Sequence, residues 1–168
     1  MKLTLINLND AQALLEFEIT NKQWFEQFIP PREQHFYSLV GVKQHIREFL
    51  LDFKCNEMIP LLIKSDNNRI IGRVNITNID GNKRIAHLGY RVGKSEIKQG
   101  VAKWAVSEVI DMLKKQNIEQ LYAYAEIRNV ASQSVLSANG FSKVRLVKNF
   151  AKLHGQAIDC LEYKRLIP

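Results

Sequence analysis

The chain has 168 residues, of which 46% are hydrophobic and 24% are charged. This length and composition are typical of one globular domain and exclude disordered, collagen-like and low-complexity proteins. The 24 Lys and Arg residues outnumber the 17 Asp and Glu residues, for a formal charge of +7. Such a charge favours polyanionic partners: nucleic acid, an acidic membrane surface or a phosphorylated cofactor. We therefore expect a single domain over residues 1–168.

Patterns that the sequence lacks bear on where the protein is located and on whether it binds a metal. No run approaches the ~18 consecutive apolar residues of a membrane-spanning helix, and the N-terminus has no apolar signal-peptide stretch. We expect a cytoplasmic protein that does not engage membranes. The only cysteines, Cys55 and Cys160, form no CxxC pair and no cluster with the four histidines, so neither a disulfide framework nor a metal site is expected.

The first half of the chain is predicted to contain one strand, two helices and three further strands. A strand is expected at 3–6, and Asp10 is a candidate cap for a helix whose apolar residues recur near the helical period. Pro30 and Pro31 predict a break, after which residues 42–53 fit an amphipathic helix. Three antiparallel strands separated by tight turns are predicted at 61–63, 70–76 and 86–92.

The second half begins with a polar loop at 93–99 and a long helix from Val101, whose apolar face is broad enough to cover a sheet. A strand at 121–125 and a helix at 130–138, with Gly140 as its C-cap, follow. Two strands that turn near His154 and Gly155 end the chain. This order predicts an α+β fold with a mixed, mostly antiparallel central sheet flanked by helices.

The start of the long helix is a candidate phosphate-binding site. A helix N-terminus offers free backbone N–H groups and the positive end of the helix dipole, which suit a pyrophosphate. Gly100 permits close backbone approach, and Lys98 and Lys103 add positive charge. Taken alone, the pattern is better explained by a plain helix start with solvated lysines. Neither a Walker loop nor a G-x-G-x-x-G motif is present.

A second motif changes that balance. Asn129 and Ser132 form N-x-x-S, followed by Gly140 and Phe141; in isolation, these are a helix cap and a core residue. The ordered combination of strand, glycine-bearing helix start, second strand, N-x-x-S and G-F resembles the GNAT superfamily of acetyl-CoA-dependent N-acetyltransferases, over essentially the whole chain.

The resemblance is greatest to the branch of ribosomal-protein N-terminal acetyltransferases. Residues 84–92 (R-I-A-H-L-G-Y-R-V) are similar to that branch's A-E-I-G-Y strand, and residues 155–163 match its closing G-x-x-x-D-x-x-x-Y hairpin. The likeness implies the GNAT fold, acetyl-CoA as cosubstrate and no metal.

The family's Q/R-x-x-G-x-G/A loop, whose backbone binds the CoA pyrophosphate, corresponds to residues 97–102, with Ile97 in place of the usual Gln or Arg. The resemblance implies pantetheine between splayed strands around 88–92 and 122–126. A backbone N–H near Arg91 or Val92 would polarise the thioester carbonyl, and the Asn129 side chain would bond the pantetheine arm. The residues expected to bind the pyrophosphate are Lys98, Gln99, Gly100, Val101, Ala102 and Lys103.

The implied reaction is direct attack of a neutral primary amine on acetyl-CoA in a ternary complex, which needs a base and an acid. His87 stands where the family pattern has glutamate and titrates near neutral pH, so it is the candidate base; a half-buried structural histidine fits equally well. The usual glutamate and tyrosine positions hold Tyr124 and Leu136. Ser132 and Ser134 are the candidate acids, with capping or packing as their alternative roles.

The acceptor is expected to be a small-molecule amine or a protein N-terminus, bound by a monomer or homodimer. A charge of +7 disfavours polyamines unless a local acidic patch offsets it. No nucleic-acid-binding motif accompanies the basic charge, so no nucleic-acid partner is expected. The alternative function is a degenerate GNAT domain that binds CoA without transfer, suggested by Ile97, Tyr124 and Leu136.

Overall fold

The structure is a computed structural model that describes residues 1–168. The helices are α1 (Ala11–Thr20), α2 (Lys22–Phe25), α3 (Leu39–Lys54), α4 (Val101–Leu113) and α5 (Val130–Ala138). The strands are β1 (Lys2–Leu5), β2 (Ile59–Lys64), β3 (Ile70–Asp80), β4 (Ile85–Val92), β5 (Gln120–Glu126), β6 (Ser142–Leu153) and β7 (Gln156–Leu166). They form one sheet in the order β1-β2-β3-β4-β5-β7-β6, in which only β4 and β5 are parallel. The predicted α+β class is confirmed.

Two hydrophobic cores cover opposite faces of the sheet. The larger has 23 buried residues and packs α4 and α5 against the central strands. The smaller has 10 buried residues and packs α1, α2 and α3 against β2 and β3. Every residue of β2 is buried because both of its faces are covered. In β4, Ala86 and Leu88 belong to the larger core, so His87 and Gly89 belong to the opposite face.

The N-terminal segment corrects one sequence prediction. The side chain of Asp10 does not cap α1. Instead, Asn7 caps a short 3₁₀ turn over Leu8–Asp10, and its backbone amide donates to the Asp10 carboxylate at 3.0 Å. The other Asp10 oxygen accepts from Lys64 Nζ at 2.7 Å. A buried lysine needs a carboxylate partner, and that need outweighs the cap.

Helix boundaries near the site follow local chemistry. Helix α2 was not predicted, because its four residues are too few to show a period. Gly100 and Gly140 have φ values of +76° and +75°, in the left-handed region that glycine adopts without strain. Gly140 ends α5 as predicted, and the Phe141 amide donates back to the Leu136 carbonyl at 3.1 Å. No helix has both the length and the apolar character that crossing a membrane requires.

Candidate active site

A gap between β4 and β5 lies at the centre of the sheet. The parallel pairing of the two strands ends at Leu88 and Ala123, although β4 continues to Val92 and β5 to Glu126. Beyond that point β4 stays paired only with β3, and β5 only with β7. The strands therefore separate within the segments where the family resemblance implied a splay.

The backbone of β4 offers hydrogen-bonding groups to this gap. Beyond the end of β4, the Gly93 amide donates to the Ile71 carbonyl on the β3 side at 3.0 Å. Neighbouring residues of a strand turn their N–H groups to opposite edges, so the amides of Val92 and Tyr90 point into the gap. The Val92 carbonyl points the same way and accepts from Trp24 Nε1 at 3.1 Å.

A cavity of ≈ 430 Å³ adjoins the gap and reaches the N-terminus of α4. Its walls come from the α2 region, the end of β4, the loop before α4, and α5. Hydrophobic side chains make up most of the lining, as is usual for a cofactor site. The lining includes Trp24, Phe28, Ile29, Tyr90, Arg91, Val92, Glu96, Ile97, Lys98, Gly100, Val101, Ala102, Lys103, Asn129, Ser132 and Val135.

The N-terminus of α4 is open to an anion. The first helical bond runs from the Trp104 amide to the Gly100 carbonyl at 2.9 Å, so the amides at 101–103 have no partner within the helix. No side chain caps them. A Cβ added at Gly100 would meet no atom within 4 Å. The amides, the helix dipole and Lys98 and Lys103 together form a site of positive potential.

Tyr90 and Ser132 span the gap from opposite sides. The Tyr90 hydroxyl donates to the Ser132 carbonyl at 3.1 Å and lies 3.1 Å from Ser132 Oγ. Burial raises the pKa of Tyr90 to about 12, so the hydroxyl keeps its proton. Ser132 also donates its amide to Asn129 Oδ1 at 3.1 Å. Asn129 is therefore both the cap of α5 and part of the cavity wall.

A second cavity of ≈ 340 Å³ lies next to the first. The two share Ile29, Tyr90, Arg91 and Ser132, so they meet where the strands separate. The second is more polar and is lined in addition by Arg73, Asn75, Leu88, Gly89, Ala123 and Tyr124. The site thus has a long apolar chamber ending at a helix N-terminus and a smaller polar chamber beyond the gap.

Comparison with known proteins identifies this arrangement. Residues 1–142 match the Acetyltransferase (GNAT) domain family. The chain belongs to the GNAT family. It is an acetyl-CoA-dependent N-acetyltransferase, as the resemblance implied.

Individual relatives of this GNAT chain are similar to it in sequence or in fold. It is 26% identical over 153 residues to "Probable N-acetyltransferase YjcK" of Bacillus subtilis (strain 168), covering 89% of this chain and 84% of that protein. Its fold is similar to the ribosomal-protein-S5-alanine acetyltransferase of Vibrio fischeri, with TM-score 0.93, 27% identity, and coverage of 98% and 92% of the two chains. It is also similar to RimL, a ribosomal L7/L12 alpha-N-protein acetyltransferase in complex with CoA, with TM-score 0.92, 22% identity, and coverage of 98% and 93%.

Most of the residues that the GNAT resemblance selected for CoA come together in the first cavity. Arg91, Val92, Asn129 and the loop residues all line it, except Gln99. Gln99 is exposed, and its side chain donates to the Ser95 carbonyl at 2.8 Å. It stabilises the loop from outside.

Two candidate catalytic residues lie outside both cavities of this GNAT chain. Ser134 is exposed, because a helix turns by about 200° over two residues and Ser132 faces the gap. His87 lies before the point where the strands separate, paired in register with Tyr122. Its ring stacks on Tyr122 and on Tyr124, with centroids 5.6 and 6.0 Å apart. It therefore approaches the second cavity only through Tyr124.

The His87 ring remains a chemically available base. Its Nδ1 is buried and has no hydrogen-bond partner. Burial lowers the pKa of His87 below its usual 6.5, and the Glu162 carboxylate opposes this only in part. The ring is therefore neutral at pH 7.

Sequence analysis missed a carboxylate beside the second cavity. Glu162 on β7 is paired in register with Tyr124, and its Oε1 accepts from the Tyr124 hydroxyl at 2.7 Å. Arg145 Nε donates to its Oε2 at 2.8 Å, and this bond holds the pKa of Glu162 below its usual range. Burial and the Glu162 contact raise the pKa of Tyr124 to about 12. The sequence feature that could have predicted this contact is the antiparallel C-terminal hairpin. It places Glu162 opposite Tyr124, which occupies the position of the family's usual glutamate.

Proposed function

We propose that this chain transfers the acetyl group of acetyl-CoA to a primary amine by direct attack in a ternary complex, with CoA in the first cavity and the amine in the second. One observation carries the proposal: the gap between β4 and β5 joins the two cavities and leads at one end to the free amides of α4. A thioester extending from that helix through the gap would meet an amine at the junction of the cavities.

The cofactor is held mainly by backbone in this proposal. The amides at 101–103, with Gly100, Lys98 and Lys103, take the pyrophosphate, and the open β4 edge takes the pantetheine. Because these contacts need no particular side chain, Ile97 in the usual Gln or Arg position does not abolish them. Asn129 offers its side-chain amide to the pantetheine arm while its oxygen caps α5.

The transfer forms a C–N bond and breaks the C–S bond of the thioester. Negative charge develops on the carbonyl oxygen as nitrogen attacks, and the Val92 amide in the gap is the donor that would stabilise it. The departing thiolate takes a proton from the Tyr90 hydroxyl or Ser132 Oγ, which lie together at the junction of the cavities, and that hydroxyl regains a proton from solvent. Tyr90 thus supplies a hydroxyl in a site where the customary tyrosine position holds the buried Leu136.

The proton that the amine loses goes to His87 through water in this proposal. The ring is neutral, whereas Glu162 is paired with Arg145 and made a weaker base by it. Tyr124 separates the ring from the cavity, so a direct contact between His87 and the amine is not part of the proposal.

The acceptor is a small-molecule amine or a protein N-terminus. The likeness to enzymes named for ribosomal proteins S5 and L7/L12 favours a protein N-terminus among these.

The test is calorimetry with acetyl-CoA, followed by a thiol-release assay over a panel of amines and N-terminal peptides. We expect saturable binding and release of CoA that depends on the acceptor. Binding without release for any acceptor would support the alternative of a CoA-binding domain without transferase activity.

A further inference from the structure

The second cavity is bordered by a cluster in which three arginines surround one buried carboxylate. Arg73 is buried, and Arg91 and Arg32 are partly exposed. Glu18, on α1, is 1% exposed. Its Oε1 accepts from Arg73 Nη1 at 2.7 Å and from Arg91 Nη2 at 3.2 Å. Arg32 Nε lies 3.7 Å from its Oε2. Arg73 and Arg91 also line the cavity.

The positive charge of this cluster exceeds its negative charge. Glu18 is the only carboxylate that forms an ion pair with any of the three arginines. His45 Nε2 lies 2.8 Å from Arg73 Nη2, but burial and the nearby arginines lower the pKa of His45 to about 2, so it adds no charge. Three guanidinium groups therefore share one carboxylate.

The neighbouring charged groups do not change this balance. Lys22 lies over the Tyr37 ring at 4.5 Å, and Glu26 is near the same tyrosine. These two groups carry opposite charges, and neither forms an ion pair with the cluster.

The arginines also keep donors that have no partner. Arg73 is 2% exposed, yet its Nε has no hydrogen-bond partner, and the same is true of Arg32 Nε. The rings of Phe25, Phe36 and Phe49 lie 4.3 to 5.5 Å from the guanidinium carbons, but ring faces accept no conventional hydrogen bond and carry no net charge. Buried cations without matching anions are costly, so their retention beside an open cavity indicates a ligand that supplies the missing charge.

The cavity has room for such a ligand next to the reacting atoms. Gly89 precedes Arg91 on the same face of β4, and a Cβ added there would meet no atom within 4 Å. Arg91 lines both cavities. A small acceptor whose oxyanion is bound by Arg91 and Arg73 could therefore place its amine at the thioester.

We propose that the acceptor of this enzyme is an amine that carries an oxyanion, a carboxylate or a phosphate, and that Arg73 and Arg91 bind that group. Arg32 lines neither cavity and adds positive charge from behind them. The inference rests on the proposed function, because it assigns the amine to the second cavity. Polyamines, which carry only positive charge, are excluded as good acceptors. Guanidinium groups suit this role because their planar donors match both kinds of oxyanion. Burial and repulsion from Arg73 lower the pKa of Arg91 to about 9, which a bound anion would reverse.

The test compares matched acceptors that differ in the anion, at equal concentrations of the neutral amine, because removing the anion also lowers the pKa of the amine. The pairs are O-phosphoethanolamine with ethanolamine, glycine with glycinamide, and Ala-Glu-amide with Ala-Gln-amide, assayed by thiol release. We expect kcat/KM to be about 10- to 100-fold higher for the anionic member of at least one pair, the range typical of a hydrogen bond to a charged group. Which pair shows the preference distinguishes an acceptor with a small-molecule phosphate or carboxylate from a peptide with an acidic side chain. Equal or faster transfer to the neutral member of every pair would overturn the inference and leave the proposed function intact.

Variants of the arginines around Glu18 test whether these residues cause the preference for anionic acceptors. Arg32→Gln and Arg73→Lys should each reduce the anionic-to-neutral ratio by about tenfold. Arg47→Gln, at an exposed arginine on α3, makes the same change in net charge as Arg32→Gln and should keep the parent ratio. If Arg73→Lys does not fold by circular dichroism, Arg32→Gln decides. A ratio unchanged in the folded variants would contradict the assignment.

A binding measurement separates the two proposals. O-phosphoethanolamine is titrated into the CoA-saturated chain, where CoA occupies the N-terminus of α4. Binding that weakens about tenfold in Arg32→Gln but not in Arg47→Gln supports the anion site even if no amine is acetylated, a result that would overturn only the proposed function. Equal binding by the parent and Arg32→Gln would overturn the anion site.

Discussion

At the scale of single residues, the proposed contacts to CoA are of two kinds. Backbone contacts can be made by any residue, whereas side-chain contacts need a particular residue. The amides of Val92 and of the first turn of α4 are backbone groups, so their sequence is free to vary. Asn129 is different, because its oxygen caps α5 while its side-chain nitrogen is available to the cavity.

Substitutions at Asn129 separate these two roles. Asn129→Ala should lower stability by about 0.5–2 kcal/mol through loss of the cap and should also weaken CoA binding. Asn129→Ser keeps a capping oxygen and loses the amide donors, so it should recover stability but not affinity. Urea unfolding and calorimetry with acetyl-CoA measure the two quantities. Full recovery of affinity in Asn129→Ser would mean that Asn129 is only a cap.

His87 gives a prediction about pH. Because burial lowers its pKa, the neutral base persists below pH 6.5, and the loss of rate due to its protonation should occur below that value. An α-amine acceptor has its own limb near pH ~8, so the two processes are separable in the pH dependence of the rate at saturating substrate.

The variant His87→Gln should lower the rate by roughly 10²–10⁴-fold if His87 is the base, and it should remove the lower limb while the amine limb stays. Tyr122→Phe is the control, since it keeps the ring that stacks on His87. A His87→Gln enzyme with the parent rate and both limbs would show that the histidine is structural.

At the scale of elements, two termini define the CoA cavity: the start of α4 and the ends of the separating strands. The left-handed Gly100 turns the chain so that α4 begins without a side-chain cap. At many helix starts a serine or aspartate side chain accepts from one of the free amides. Their freedom here follows from a glycine at the cap position.

The variant Gly100→Asp tests that element. A carboxylate about 4 Å from a bound phosphate would repel it by ~1–4 kcal/mol near the surface, so the Kd for acetyl-CoA should rise at least about fivefold. Gly155→Asp is a matched control, since Gly155 also has φ +76° and open space around it, at the β6–β7 turn. Calorimetry on both folded variants decides; equal affinity in Gly100→Asp and the parent would place the pyrophosphate elsewhere.

At the scale of the whole molecule, the features that could be predicted from the sequence are those set by residues close together in the chain. Helix α5 was predicted with its observed ends, because helical period, caps and glycines act within a few residues. For the same reason the start of α4 at Gly100 was predicted, and it lies in the wall of the first cavity. Contacts between distant segments were missed. Glu18 meets Arg73 and Arg91 across 55 and 73 positions of sequence, and no local pattern marks the three as neighbours. His87 was placed in the right strand, but where the strands separate depends on tertiary pairing.

The same cluster joins the helical layer of α1 to β3 and β4, so it predicts how the whole fold responds to pH. Burial raises the pKa of Glu18, but the charges of Arg91, Arg73 and Arg32 outweigh burial and hold the pKa below its usual 4.5. A lowered pKa means that the stabilising effect of Glu18 is present above pH 4.5 and is lost as pH falls through the pKa of the folded state.

The variant Glu18→Gln should therefore lower the free energy of unfolding at pH 7 by about 3–5 kcal/mol, since it leaves buried guanidinium groups without an anion. The difference from the parent should shrink as pH falls from 4.5 through the pKa of folded Glu18, where the parent also loses the charge. Glu16→Gln, an exposed carboxylate on the same helix, should change stability by less than about 0.5 kcal/mol at every pH tested. Urea unfolding of the three proteins at pH 7 and at a series of pH values from 4.5 downwards gives the comparison. A Glu18→Gln deficit that stays constant throughout would mean that Glu18 contributes packing rather than charge.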